Sequence, residues 1–153
     1  MGYKVCFAAS AGGHLEEVSC LKELAEKYDS FLFTEEVEFS ENKICERTIT
    51  VPVINRHEKG FFFNFIKLTL KSNDVLKKER PDFIISTGAL ATVPICILGK
   101  LKRVKVIYIE SFARVDELSL TGKIMKHVAD LFIYQWEDLK DKVPNGVFGG
   151  GIF

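Results

Sequence analysis

Apolar strands alternating with helical repeats predict an α/β fold: a parallel sheet with helices on both faces, joined by right-handed crossovers. Residues 3–9 and 104–110 are near-continuous apolar runs, the pattern of strands covered on both sides. Between such runs, apolar residues recur at helical spacing, as in 61–79. In addition, three strands end in loops of small or ionisable residues, at the edge where open α/β sheets hold ligands.

Residues 3–9 form the first strand. Leu15, Val18, Leu21, Leu24, Ala25 and Tyr28 then mark one face of a helix, with Glu16, Glu17, Lys22, Glu23, Glu26 and Lys27 between them. Residues 30–34 read as a second strand and 35–46 as an acidic, mobile loop. Residues 48–53 alternate, end at Pro52 and read as a third strand. Residues 61–79 give a long helix, stopped before Pro81. Along it Lys67, Lys71, Asp74 and Lys78 share a polar face, and Phe61, Phe65, Leu68, Val75 and Leu76 an apolar stripe. Phe62, Phe63, Ile66 and Leu70 lie outside that stripe. Their surface packs on a neighbouring helix, binds a partner or dips into a membrane surface, where Lys59, Lys67 and Lys71 suit anionic headgroups.

Residues 82–86 form a strand. Residues 92–101 form a helix so apolar that it must be largely buried, with Pro94 tolerable in its first turn. Residues 104–110 form a strand, 120–129 a helix, 131–134 a strand and 136–142 a short helix before Pro144. Gly149-Gly150-Gly151-Ile152-Phe153 reads as a flexible tail. A chain of 153 residues favours one domain, here 1–153, and buries roughly 68–70% of its unfolded surface.

Net charge is +0, from 21 basic and 21 acidic side chains, so nothing points to nucleic acid as a partner. Cys6, Cys20, Cys45 and Cys96 form no Cys-x-x-Cys pair, which argues against structural zinc; Cys6, Cys20 and Cys96 read as buried thiols, as in a reducing cytosol. The N-terminus has no signal-peptide core, and no run of about 18 apolar residues exists to span a membrane.

The chemistry concentrates in three loops. In Gly12-Gly13-His14, the glycines let a ligand approach the backbone, and His14 is a candidate general base near neutral pH. The same residues equally describe a tight turn with a capping histidine. Neither G-x-G-x-x-G nor G-x-x-x-x-G-K-[ST] is present, and Glu16 and Glu17 at the helix start oppose a bound phosphate. Thr87 and Gly88 open a second turn, either a sugar contact or a close-packed corner. Glu110 ends a buried strand, where a carboxylate binds hydroxyls, acts as a base, caps a helix or pairs with Arg114. His57 and His127 read as structural or surface residues.

Four segments fall in the order of a known family: Ser10-Ala11-Gly12-Gly13-His14-Leu15, Ser86-Thr87-Gly88-Ala89, Tyr108 to Val115 with its Glu-Ser-Phe-x-Arg, and Asn145-Gly146-Val147-Phe148. The chain resembles the N-terminal-half subunit of a split GT-B glycosyltransferase. It is similar to bacterial capsule and exopolysaccharide enhancer subunits and to the anchoring subunit of the dolichol-linked GlcNAc transferase. The resemblance implies one Rossmann-like half of a GT-B fold. It implies a partner subunit that binds the UDP-sugar, a polyprenyl-diphosphate-linked sugar as acceptor, and inverting transfer without a metal or other cofactor. His14 is then the first candidate base and Glu110 the second, or an acceptor-orienting group. Gly12, Gly13, Thr87, Gly88, Ser111 and Arg114 line the acceptor site. Phe62, Phe63, Ile66 and Leu70 face the membrane, Ile152 and Phe153 the partner. The implied location is cytoplasmic, peripheral on the inner face of the membrane. A non-catalytic scaffold and a free-standing nucleotide-binding enzyme are the alternatives.

Overall fold

The computed structural model describes residues 2–37 and 44–153. Seven strands, β1 (Lys4–Ala9), β2 (Asp29–Glu35), β3 (Arg47–Val51), β4 (Phe83–Gly88), β5 (Lys105–Ile109), β6 (Leu131–Tyr134) and β7 (Val147–Phe148), form one sheet in the order β3-β2-β1-β4-β5-β6-β7. Every pairing is parallel. The chain winds outward from β1 to β3, then returns to lay β4 on the other side of β1. Strand order therefore reverses between β1 and β4, and the loops leaving these two strands flank a crevice.

Side chains alternate along β1. Cys6 and Ala8 join the core beneath α3 (Phe61–Glu79), α4 (Val93–Leu101) and α5 (Leu120–Val128). Val5, Phe7 and Ala9 join a smaller core beneath α1 (Gly13–Ser19) and α2 (Lys22–Ala25). Helices thus cover both faces, as expected.

The single helix expected after β1 is two. Ser19 Oγ bonds back to the Leu15 carbonyl at 2.7 Å, and Leu21 leaves helical geometry, so α1 closes and α2 restarts as one turn. Cys20, expected to be buried, sits at this break and is exposed; Cys6, Cys45 and Cys96 are buried. Of the loop expected over 35–46, residues 38–43 lie outside the described residues; Glu35 closes β2, and Ile44 and Cys45 are buried. α3 has the expected bounds, ending where Arg80 turns left-handed ahead of Pro81. The helix expected over 92–101 starts as a 3-10 turn, Leu90–Thr92, and the one expected over 136–142 is 3-10 throughout, Glu137–Lys142. β7, the last strand, went unread because two residues carry no periodicity. Among the described residues, no helix is long and apolar enough to cross a membrane.

Candidate functional site

A cavity of about 660 Å³ opens at the carboxyl edge of the sheet. Four loops wall it: β1–α1 through His14, β3–α3 through residues 53–57, β4–α4 through Ala89 and Leu90, and β5–α5 through Ser111, Ala113 and Arg114, with Ser119, Leu120 and Thr121 entering α5. A second hollow, of about 590 Å³, lies at the amino ends of β2 and β3, away from these loops.

His14 is held twice by Thr87. Its Nδ1 lies 2.8 Å from the Thr87 carbonyl, and Thr87 Oγ1 donates to the His14 carbonyl at 2.7 Å. A carbonyl only accepts, so Nδ1 carries a proton, and in the neutral ring Nε2 keeps its lone pair. Gly12 at φ 82 and Gly88 at φ 101 take left-handed backbone that favours glycine. A Cβ on Gly88 would also stand 3.2 Å from the His14 ring. The turn after β4 is wired by hydroxyls: Gly88 N–H donates to Ser86 Oγ, Ala89 N–H to Ser10 Oγ, and Thr92 Oγ1 to the Ala89 carbonyl.

Glu110 is fully buried and does not line the cavity. Its Oε1 accepts from Ser111 N–H at 2.9 Å, Ser119 Oγ at 2.8 Å and Tyr108 OH at 3.3 Å; its Oε2 accepts from Ser119 N–H at 3.1 Å. Ser119 Oγ in turn accepts from Gly122 N–H at 2.8 Å, capping α5. Of the alternatives for Glu110, this geometry matches the helix-capping one. Burial, with the Glu110 charge beside it, pushes the Tyr108 phenol well above its usual range. Arg114 is exposed and makes no ion pair with Glu110.

Of the residues expected at the site, His14, Ser111 and Arg114 line the cavity, whereas Gly12, Gly13, Thr87 and Gly88 shape the loops behind it. Phe62, Phe63, Ile66 and Leu70 are exposed on the first half of α3, beyond the β3–α3 loop. Ile152 and Phe153 are not on that surface: Ile152 N–H donates to Gln135 Oε1 at 2.8 Å, and the Phe153 ring packs edge-on against Phe112 at 5.4 Å.

Two carboxylates take roles the sequence did not show, Glu35 and Glu17, the latter expected only to oppose a phosphate at the helix start. Glu35 Oε2 accepts from Ala11 N–H at 3.2 Å and Oε1 from Ile54 N–H at 2.9 Å, tying two cavity walls together. It ends an apolar strand as Glu110 does, a signal that was available. Glu17 turns inward rather than toward a ligand. Its Oε1 accepts from Ser111 Oγ at 3.0 Å and Phe112 N–H at 2.9 Å, while Oε2 is buried without a partner. Burial raises its pKa, against the pull of the Phe112 and Ser111 hydrogen bonds and of His14. His57, read as a surface or structural residue, is exposed but sits on the cavity wall. Gln135 donates from Nε2 to the Glu110 carbonyl at 2.9 Å, and Trp136 Nε1 to the Phe112 carbonyl at 2.7 Å. Among the described residues, no group of three or more His, Cys, Asp or Glu side chains could hold a metal ion.

Comparison with known proteins places this geometry. Among solved structures, Acinetobacter baumannii MurG matches 87% of the chain, and 41% of its own length, with TM-score 0.68 at 14% identity. A UDP-N-acetylglucosamine 2-epimerase from Rickettsia bellii matches 99% of the chain, and 46% of its own length, with TM-score 0.77 at 15% identity. At such identities these matches show the fold alone. In sequence, the UDP-N-acetylglucosamine transferase subunit ALG14 of Mus musculus is 46% identical over 79 residues, 48% of this chain and 36% of that protein. The Homo sapiens subunit is 42% identical over 84 residues, 51% of this chain and 39% of that protein. The matched segment thus spans well under half the length of these relatives. The family model described as oligosaccharide biosynthesis protein Alg14 like matches residues 59–152, and the chain belongs to the Alg14-like family.

Proposed function

We propose that this chain is the acceptor-binding half of a two-component inverting glycosyltransferase that builds lipid-linked oligosaccharide or polysaccharide. A partner subunit binds the UDP-sugar and is activated by docking on this chain. The acceptor is a sugar on a polyprenyl diphosphate at the inner face of the membrane. Family membership supports the class of reaction. The observation that carries the catalytic part is the bond from His14 Nδ1 to the Thr87 carbonyl, which leaves Nε2 as an acceptor at the cavity.

In this reading the acceptor hydroxyl oxygen attacks the anomeric carbon, the bond from that carbon to the nucleoside diphosphate breaks, and His14 Nε2 takes the hydroxyl proton. Glu110 positions the β5–α5 loop from behind. Ser111 and Arg114 contact the acceptor, and the exposed aromatic end of α3 meets the lipid. Transfer from a UDP-sugar to a polyprenyl-diphosphate sugar, measured with the chain alone and with a membrane extract of its source, tests the split. Activity is expected only with extract. His14→Ala is expected to lower transfer by about 10²–10⁴-fold while partner binding is retained. Full activity in that variant would leave the chain a scaffold.

A further inference from the structure

The cavity has a second basic wall outside the segment matched by the family model: Arg56 and His57 precede residue 59. Arg56 sits on the β3–α3 loop and Arg114 on the β5–α5 loop, and both are exposed. Among the described residues neither guanidinium has an ion-pair partner, and no carboxylate lines the cavity. Two unpaired cations at one cavity repel each other unless an anion joins them. Arg56 Nε donates to His57 Nε2 at 3.3 Å, which leaves its terminal nitrogens for a ligand. Their flat fork matches the oxygens of a phosphate.

Both loops are anchored at the backbone before any ligand arrives. Glu35 fixes the Ile54 N–H, and Arg114 N–H donates to the Ser111 carbonyl at 2.9 Å. The backbone that carries each arginine then needs no ordering on binding. The same cavity also exposes apolar surface: Val53 and Leu120 are each 55% exposed. A cationic pair beside open apolar side chains fits an amphiphile better than a bare ion.

We infer that Arg56 and Arg114 grip one phosphate or diphosphate group from opposite walls, and that Val53 and Leu120 receive the apolar chain attached to it. The location rests on the acceptor-site reading; the test does not, because it measures binding by this chain alone. Calorimetric titration of the full chain with inorganic pyrophosphate and with geranyl diphosphate separates a free phosphate from a lipid-borne one. Both are expected to bind, geranyl diphosphate more tightly. Arg56→Gln and Arg114→Gln should each weaken both by about tenfold or more. Arg56→Lys should restore only part of the loss, since a point charge lacks the fork. Val53→Ser with Leu120→Ser should bring geranyl diphosphate down to the pyrophosphate level. Lys77→Gln, on the far end of α3, should change nothing. Unchanged affinity in either arginine variant, or an equal loss in Lys77→Gln, overturns the grip. Equal affinity of the wild-type chain for the two anions overturns the apolar half. Failed transfer with intact pyrophosphate binding counts against the catalytic reading alone.

Discussion

Glu17, Glu35 and Glu110 each direct a buried carboxylate at backbone N–H groups of the cavity loops. Loops that carry function need stiff anchors, and a carboxylate accepting N–H bonds supplies them without occupying the cavity. Glu17 differs from the others because one oxygen is buried unpartnered. Its pKa is raised, chiefly by burial. A raised folded pKa means the native state keeps a proton that the unfolded chain releases. Stability from Glu17 is therefore lost as pH rises from about 4 through the folded value. Glu17→Gln keeps an acceptor for Ser111 and Phe112 and removes the buried charge. The variant is expected to unfold at higher urea than wild type at pH 7, with the gap closing by pH 4. A lower midpoint at pH 7 would show that the charge itself holds the loop. Glu110 was visible in the sequence because it interrupts an apolar run. Glu17 was not, because in a short amphipathic helix an inward glutamate looks like its exposed neighbour Glu16.

Element bounds were legible where periodicity was long. α3 keeps its expected ends, and its surplus apolar residues are on the surface: Phe62 is 72% exposed and Phe63 71%. The break inside the first helical repeat was hidden, because apolar spacing persists across Leu21 and Leu24 while the backbone turns. Replacing Phe62, Phe63 and Ile66 by serine should abolish binding to anionic liposomes yet leave stability within about 0.5 kcal/mol. Unchanged liposome binding sinks the membrane role of this face. α5 makes a sharper demand. A Cβ on Gly122 would overlap the Glu110 carboxylate. Gly122→Ala is expected to cost about 3 kcal/mol in urea unfolding, whereas Gly2→Ala, with open space around it, costs little.

At the scale of the molecule, the two ends of the sheet are built differently. The carboxyl end holds the cavity, wired by hydroxyls and by carboxylates that accept backbone N–H bonds, and the amino end is closed by ion pairs. Glu79 takes hydrogen bonds from Lys4 and Arg47, each at 3.0 Å, which hold its carboxyl below the usual range. Burial works against ionised Asp130, but hydrogen bonds from Lys100, Val106 N–H and Lys105 bring it down to about 2. Both groups are depressed in the folded state, so their stabilisation is present above about pH 4 and is lost as pH falls through the folded values. The urea midpoint should drop steeply between about pH 4 and about pH 2, and Asp130→Asn should flatten the lower part of that drop. The parallel sheet and its helices on both faces followed from sequence pattern, but strand order did not, and these closures link Lys4 to Glu79 and Lys100 to Asp130 across distances that no local periodicity records. The tail adds one more link. Gln135 accepts from Ile152 with its oxygen and donates to the Glu110 carbonyl with its nitrogen, so one amide joins residues 149–153 to the root of the cavity wall. It acts as a tie-rod: a pull on the tail is carried along a rigid planar group to the loop that bears Ser111 and Arg114. The solvent-exchange rate of the Ile152 amide thereby becomes a gauge of how firmly that wall stands.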